Sequence, residues 1–191
     1  MNINNKHIYD YVAYPRSGSH FFHQVLSMYM GHSHLLLYKP EHDRDTQKQI
    51  KGCFYVWRDP LKVLYSLFAA EFCNENRKID FNLLTTDWLD FEINRIKTHF
   101  DFYSKNAGLV VRYEDLINNL VWEETLKYFN LDYDEAKILD CASKITVKAS
   151  IEWSPSRKFA ITKRKWMNNF MLTDEHKKGR EIFLKKYGYK Y

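Results

Sequence analysis

Residues 8–29, IYDYVAYPRSGSHFFHQVLSMY, join an apolar run to an amphipathic run through one short loop. The apolar run, Ile8–Tyr14, is typical of a buried strand. After the loop, apolar residues recur at helical spacing until Gly31, namely Phe21, Phe22, Val25, Leu26 and Tyr29. The stretch therefore predicts a strand, a loop and a helix in direct succession, a unit from which α/β folds are built.

The loop, Tyr14–His20, contains the residue types that hold an anion at a helix N-terminus. The first N–H groups of a helix have no partner within it, Gly18 lets the backbone come close to an anion, and Arg16 adds a permanent positive charge. The Walker motif GxxxxGK[ST] places Lys after its second glycine, whereas His20 and Phe21 stand where that motif is already over. We expect a phosphate-binding loop that lacks the ATPase signature.

Further apolar runs alternate with helical patterns along the chain. Leu35–Tyr38, Cys53–Trp57 and Leu109–Tyr113 predict a second, third and fourth strand. Asp59 and Pro60 are favourable N-cap and N1 residues for the helix after the third strand. Strands that are apolar throughout indicate a mostly parallel sheet flanked by helices, so the predicted class is α/β. Ligands of such sheets bind at the carboxyl ends of the strands.

Composition adds broad limits on the class of protein. The 191 residues are 45% hydrophobic and contain no linker-like stretch, which predicts a single domain over residues 1–191. The net charge of +5 fits an anionic ligand, but it fits nucleic acid or an acidic membrane surface as well. Cys53, Cys73 and Cys141 lie in apolar runs without metal-ligand spacing, and we expect buried, reduced thiols. Because no signal core or membrane-spanning run is found, the predicted location is cytoplasmic.

Three later segments resemble the first loop in carrying basic residues, and two of them also lie at the carboxyl end of a predicted strand. Arg58–Ser66 leaves a predicted strand and enters a helix, and Arg58 and Ser66 are both suited to a phosphate. Val111–Leu116 also lies at the carboxyl end of a predicted strand. The fourth segment comprises Ser156–Lys158 and the later run Trp166–Phe170.

In this order, the four segments resemble the sulfotransferases that use 3′-phosphoadenosine 5′-phosphosulfate (PAPS). The first is similar to that family's 5′-phosphosulfate loop, YPKSGTTW, with Arg16 in place of Lys. The second matches the family's 3′-phosphate motif RxPxxVxxS, the third its YED segment, and the fourth its RKG and WKNxF segment. The resemblance spans roughly residues 8 to 170 and implies a P-loop NTPase-like sulfotransferase fold.

The resemblance also implies roles for individual residues. Residues implied to bind the 5′-phosphosulfate are Ser17, Gly18, Ser19 and His20. Residues implied to hold the 3′-phosphate are Arg58, Ser66, Arg157 and Lys158. Phe21 would pack on the adenine, and Tyr113 would lie near it. The implied reaction moves a sulfuryl group from PAPS to a hydroxyl or amine, releases 3′-phosphoadenosine 5′-phosphate (PAP), and requires no metal.

Sulfuryl transfer needs positive charge on the transferring group and a base for the acceptor proton. Arg16 is the candidate for the charge. The family often supplies the base from a KxH segment after the second strand, and here Lys39 and His42 occupy that place with one extra residue between them. We prefer His42 as the base, with Lys39 assisting, because the pKa of histidine lies near neutrality. The alternative bases are His34, His32 and Glu41.

Other functions are compatible with parts of this pattern. A kinase on the same kind of sheet would use Asp59 or Asp115 for magnesium, but the Lys that it needs after the loop glycine is absent. A nucleotide-binding module without catalysis would keep the same loop. A basic nucleic-acid-binding domain has no groove-reading motif to support it. The predicted partners are therefore an anionic nucleotide donor and a hydroxyl-bearing acceptor, with no nucleic acid and no transmembrane segment. The oligomeric state is left open, with a monomer preferred.

Overall fold

The computed structural model of the chain describes residues 11–15, 17–31, 52–72, 80–145 and 174–188, and at residues 19, 20, 70 and 175 only the backbone. Its strands are β1 (Tyr11–Ala13), β2 (Phe54–Trp57) and β3 (Leu109–Arg112). Its helices, numbered within these ranges, are α1 (Ser19–Tyr29), α2 (Pro60–Phe72), α3 (Thr86–Asn106), α4 (Tyr113–Ile117), α5 (Trp122–Tyr128), α6 (Glu135–Lys144) and α7 (Asp174–Tyr187). A 3-10 turn covers Phe81–Leu83.

The described strands form one parallel sheet in the order β1-β2-β3. Ala13 pairs with Val56, and Trp57 pairs with Arg112, so the three strands end at the same edge of the sheet. The predicted class, α/β with a parallel sheet, is confirmed. The second predicted strand, Leu35–Tyr38, lies outside the described residues, as do the first three residues of the run predicted as the first strand.

Two predicted boundaries concern the start of α2 and the end of β3. Helix α2 begins at Pro60, and the backbone N–H of Leu61 donates to the Asp59 carboxylate at 2.9 Å, so the predicted N-cap is confirmed. The predicted fourth strand, Leu109–Tyr113, corresponds to β3. Its predicted end is wrong, because Tyr113 is the first residue of α4. The physical reason is that Glu114 and Asp115 fall in the first turn of α4, where negative charge stabilises the positive end of a helix.

The chain divides into two compact units, residues 1–58 with 95–145 and residues 59–94 with 146–191. One dividing point falls between Arg58 and Asp59, and another falls inside α3 between Asn94 and Arg95. The prediction of a single domain over residues 1–191 stays a prediction. No helix within the described ranges is long and apolar enough to cross a membrane.

The sheet of the first unit is covered on both faces, as expected for strands that are apolar at every position except Arg112. One face presents Phe54 and Val56 to apolar side chains of α1, α4, α5 and α6, with the Phe22 ring stacked on Phe54 at 4.6 Å between centroids. The opposite face presents Val12 and Tyr55 to the second half of α3. The sheet therefore lies between two apolar layers.

The α3 face also buries a polar pair. The Tyr55 hydroxyl lies 2.9 Å from Nδ1 of His99, and both side chains are almost completely buried. Burial raises the pKa of Tyr55 well above its ordinary value, because the charged phenolate would lose its hydration. Cys53 and Cys141 are buried as predicted, and Cys73 lies outside the described residues.

The described part of the second unit is built on α2. The Tyr65 hydroxyl donates to the carbonyl oxygen of His176 in α7 at 2.8 Å, and its ring contacts Phe183 at 5.5 Å between centroids. Phe68, on another turn of α2, packs against Phe81 and Trp88. These aromatic contacts join α2 to α7 and to the beginning of α3.

Replacing Phe22 with Ala should destabilise the first unit by about 3–5 kcal/mol, because it removes a buried ring that stacks on Phe54 and leaves a cavity. The measurement is urea unfolding followed by circular dichroism. The matched control is Leu120→Ala, whose side chain is 71% exposed and whose loss should change the free energy of unfolding by at most about 0.5 kcal/mol. Equal losses in the two variants would contradict this account of the core.

Candidate functional site

Three segments that are distant in sequence meet at the carboxyl ends of the described strands. The loop after β1 leads into α1, Arg58 follows β2, and Tyr113 follows β3. Because β2 lies between β1 and β3 and all three are parallel, these segments occupy one edge of the sheet. This is the edge at which parallel α/β sheets bind their ligands.

The loop turns tightly into α1. The backbone N–H of Ser17 donates to the carbonyl oxygen of Tyr14 at 3.1 Å, and Ser17 is buried. Gly18 is the N-cap residue of α1 with a φ of 89°, a left-handed conformation that glycine adopts without strain. The helical bonds begin where Phe22 donates to the Gly18 carbonyl at 3.2 Å, and the first turn contains no acidic residue. The N–H groups before Phe22 therefore form a positive helix end that no acidic residue of that turn neutralises.

The ring of Tyr113 lies directly against Gly18. A Cβ atom on Gly18 would stand 2.0 Å from Cδ2 and 2.4 Å from Cε2 of this ring, well inside van der Waals contact. Glycine is therefore required twice at this position, once for its backbone conformation and once for the space that Tyr113 fills. The contact fixes the β3–α4 junction against the N-terminus of α1.

Two further side chains surround the Tyr113 ring. Phe21 meets it edge to face, with centroids 5.8 Å apart and an interplanar angle of 89°. The guanidinium carbon of Arg58 lies 4.9 Å from the centroid of the same ring, a cation–π distance. Residues predicted separately from three motifs thus form one cluster of a loop glycine, two aromatic rings and an arginine.

Charged side chains extend the cluster. Nε of Arg58 lies 3.9 Å from Oε1 of Glu114, and Nε of Arg112 lies 4.0 Å from Oε2 of the same carboxylate. The guanidinium of Arg112 also stacks over the Trp57 ring at 4.9 Å. One carboxylate is therefore shared by two arginines at the carboxyl edge of the sheet.

The structure brings together five of the predicted site residues. They are Ser17, Gly18, Phe21, Arg58 and Tyr113, all in the first unit. Ser66 is half-buried in α2 and belongs to the second unit. Ser19 and His20 begin α1, and only their backbone is described. The other predicted residues lie outside the described ranges: Arg16, Lys39, His42, Arg157 and Lys158, with the alternative bases His32, His34 and Glu41.

Sequence reasoning gave no role to Arg112 or Glu114, although both lie in the segment that contains Tyr113. A signal was present, because a strand that ends in Arg followed two residues later by Glu places opposite charges at the carboxyl edge of a sheet. The sequence could not show that Arg58, which follows a different strand, lies close to Glu114. Within the described residues, no group of three or more His, Cys, Asp and Glu side chains could hold a metal ion.

Comparison with known proteins gives a likeness in structure. The chain is similar to the crystal structure of mouse sulfotransferase SULT7A1 complexed with PAP, with 15% sequence identity and a TM-score of 0.41. The match covers 90% of this chain and 87% of that chain. No protein-family model and no curated protein matches the sequence.

Proposed function

We propose that the protein is a sulfotransferase that moves a sulfuryl group from PAPS to a hydroxyl or amine of an acceptor. The observation that carries this proposal is the cluster of Gly18, Arg58 and Tyr113 at the carboxyl edge of a parallel sheet. Each residue comes from a different one of the motifs that resemble the PAPS-dependent family. Their proximity supports treating those motifs as parts of one nucleotide site.

The N-terminus of α1 is suited to the 5′-phosphosulfate. Backbone N–H groups ahead of the Phe22–Gly18 bond point out of the helix end, and no acidic residue in the first turn opposes an anion. Ser17, Ser19 and His20 are the proposed contacts there, together with the backbone of Gly18. Arg16 is the proposed source of the full positive charge.

The aromatic rings beside the loop are suited to the adenine. Phe21 is partly buried, and it meets Tyr113 at nearly a right angle, so the two rings form a corner of apolar surface next to the helix end. A purine is a flat aromatic group that gains energy by stacking on such rings. Phe21 and Tyr113 are therefore the proposed adenine contacts.

Arg58 is the proposed anchor of the 3′-phosphate. Its side chain is only 21% exposed, and the Tyr113 ring supports the guanidinium from one side. A guanidinium held in this way loses little freedom when it donates two parallel hydrogen bonds to a phosphate. The role of Ser66, Arg157 and Lys158 in holding the 3′-phosphate stays a prediction.

The proposed roles in the reaction belong to residues of the loop and of the segment after it. PAPS, when bound, supplies the sulfuryl group and a phosphate leaving group. Arg16 balances the negative charge that develops on both, and Lys39 adds a second cation. His42 takes the proton of the acceptor hydroxyl while the acceptor oxygen forms its bond to sulfur and the bond from sulfur to the phosphate oxygen breaks.

The nucleotide preference tests this proposal. We expect PAP to bind more tightly than AMP or ATP with magnesium, because only PAP has a 3′-phosphate for Arg58. Arg58→Ala should weaken PAP binding by about 10- to 100-fold, the usual effect of losing a charge-assisted contact, and should change AMP binding much less. Isothermal titration calorimetry measures all three ligands.

The charge control for this titration is Lys127→Ala, which removes one exposed positive charge from α5 of the same unit. It should leave PAP binding within about twofold of the wild type because exposed charges are screened by salt. A preference for ATP with magnesium would instead favour a kinase. Equal binding of PAP and AMP would contradict the proposed 3′-phosphate site.

Replacing Gly18 with Ala should lower the affinity for PAP by about tenfold or more. The new Cβ must displace the Tyr113 ring, and α1 must begin in a strained conformation. The matched control is Gly31→Ala at the other end of α1. Gly31 also has a positive φ, 78°, but a Cβ there meets no heavy atom within 4 Å. Both variants bear backbone strain, so only a larger loss of binding in Gly18→Ala supports a role for the ring contact.

Measurement of kcat distinguishes residues that only bind the nucleotide from residues that act during sulfuryl transfer. Arg16→Ala and His42→Ala should each lower kcat by at least about 100-fold with labelled PAPS and an acceptor that the wild type accepts, because Arg16 balances the charge that develops during transfer and His42 takes the acceptor proton. PAP affinity should be kept in His42→Ala. Normal kcat in His42→Ala would move the base to His34, His32 or Glu41.

A further inference from the structure

A buried histidine packs against the first residue of the loop Tyr14–His20. His99 of α3 is completely buried, and its ring meets the Tyr14 ring edge to face, with centroids 5.2 Å apart and an interplanar angle of 80°. Tyr14 directly follows β1 and is itself only 2% exposed. Both residues belong to the first unit. None of the proposed roles in binding or transfer involves His99.

Contacts with the sheet give this histidine a defined place. Nδ1 of His99 lies 2.9 Å from the hydroxyl of Tyr55, which is buried in the middle strand of the described sheet. A polar ring in an apolar layer needs such a partner, and the hydrogen bond favours one orientation of the imidazole. The Tyr103 ring packs against both rings, 4.7 Å from that of His99 and 5.1 Å from that of Tyr55. The ring that meets Tyr14 is therefore anchored to the sheet.

Tyr14 is joined to the loop by its backbone as well as by the chain itself. Its carbonyl oxygen accepts a hydrogen bond from the N–H of Ser17 at 3.1 Å, which closes the turn before Gly18. The described strand β1 ends at Ala13, so side-chain packing contributes to the position of Tyr14. At the other end of the turn, Gly18 lies against the Tyr113 ring. The turn thus has a packed aromatic contact at each end.

We propose that His99 is a positioning residue of the loop: its ring holds Tyr14, whose carbonyl oxygen closes the turn to Ser17 at the N-terminus of α1. The inference rests on the proposed function, because it takes this turn to be part of the 5′-phosphosulfate site. Donors that are already in place bind an anion more tightly, since less order has to be created on binding. The role concerns the contact between the two rings and holds whatever further partners either residue has.

Hydrogen exchange of the Ser17 amide tests the positioning without any ligand. His99→Asn keeps a polar atom near the position of Nδ1 but removes the ring that meets Tyr14. Exchange at Ser17 should become about three- to tenfold faster, the effect of losing one aromatic contact. The hydrogen-bonded Met30 amide at the other end of α1 should change by less than about twofold. Equal acceleration at both amides would overturn the proposal, because His99 would then act only on the stability of the unit.

A variant that keeps the ring separates ring packing from the polar pair. Tyr55→Phe combined with His99→Phe retains an aromatic ring beside Tyr14, and both partners of the hydrogen bond become apolar together. Exchange at Ser17 should stay within about twofold of the wild type in this double variant. Acceleration as large as in His99→Asn would overturn the proposal, because the polar pair would then act on the loop in place of the ring contact.

Tyr14→Leu checks that the effect passes through the Tyr14 ring. By itself it should accelerate exchange at Ser17 by about three- to tenfold, and in this background His99→Asn should add less than about twofold. A full additional effect of His99→Asn would overturn the proposal. If His99→Asn by itself does not fold, Tyr14→Leu decides, and unchanged exchange at Ser17 in that variant would overturn the proposal.

Calorimetric titration with PAP connects the loop to binding, under conditions in which thermal unfolding shows that every variant is folded. His99→Asn should weaken PAP binding by about three- to tenfold. The control Phe129→Leu alters a buried ring that packs on Phe54, on the opposite face of the sheet, and should bind PAP within about twofold of the wild type.

The two measurements distinguish this inference from the proposed function. Unchanged PAP affinity in His99→Asn would overturn the inference, while a preference of the wild type for PAP over AMP would still support the proposed function. If the wild type binds PAP no more tightly than AMP, the proposed function fails. Selective acceleration of exchange at Ser17 would in that case still support the role of His99 in holding the loop.

Discussion

The contact between the Tyr113 ring and Gly18 is the constraint on which the rest of the site depends. No side chain larger than hydrogen fits at residue 18, because a Cβ atom would overlap carbons of the ring. The ring in turn lies under the Arg58 guanidinium and against the edge of Phe21. A single glycine therefore sets how closely the β3–α4 junction approaches the N-terminus of α1, and with it the spacing of every other group in the cluster.

Charge in this cluster is balanced and not merely positive. The end of α1 and the guanidinium of Arg58 attract anions, whereas Glu114 opposes them and is itself shared with Arg112. Two arginines without a carboxylate would attract any phosphate or sulfate, whereas an arginine fully paired with a carboxylate would attract either anion only weakly.

Much of the fold follows from local sequence. The strand, loop and helix around residues 11–29 and the start of α2 at Asp59 and Pro60 agree with the structure because their signals act within a few residues. The predicted end of β3 is wrong by one residue, since Tyr113 is apolar enough for a strand but precedes two acidic residues that favour a helix N-terminus. Gly18, Phe21, Arg58 and Tyr113, predicted from separate motifs, lie together in the structure, whereas no role was predicted for the neighbouring Arg112 and Glu114. The binding roles of these residues stay predictions.

By itself, the sequence determined the α/β class, the strand ends that carry polar groups, and the loop glycine, because hydrophobic periodicity and turn chemistry are local properties. Only the tertiary structure decided that the Tyr113 ring fills the space beside Gly18 and that one carboxylate serves two arginines. The reason is that these contacts depend on β2 lying between β1 and β3 in a particular register. Strand order and register arise from the packing of the whole sheet against its helices, and no short stretch of sequence encodes them.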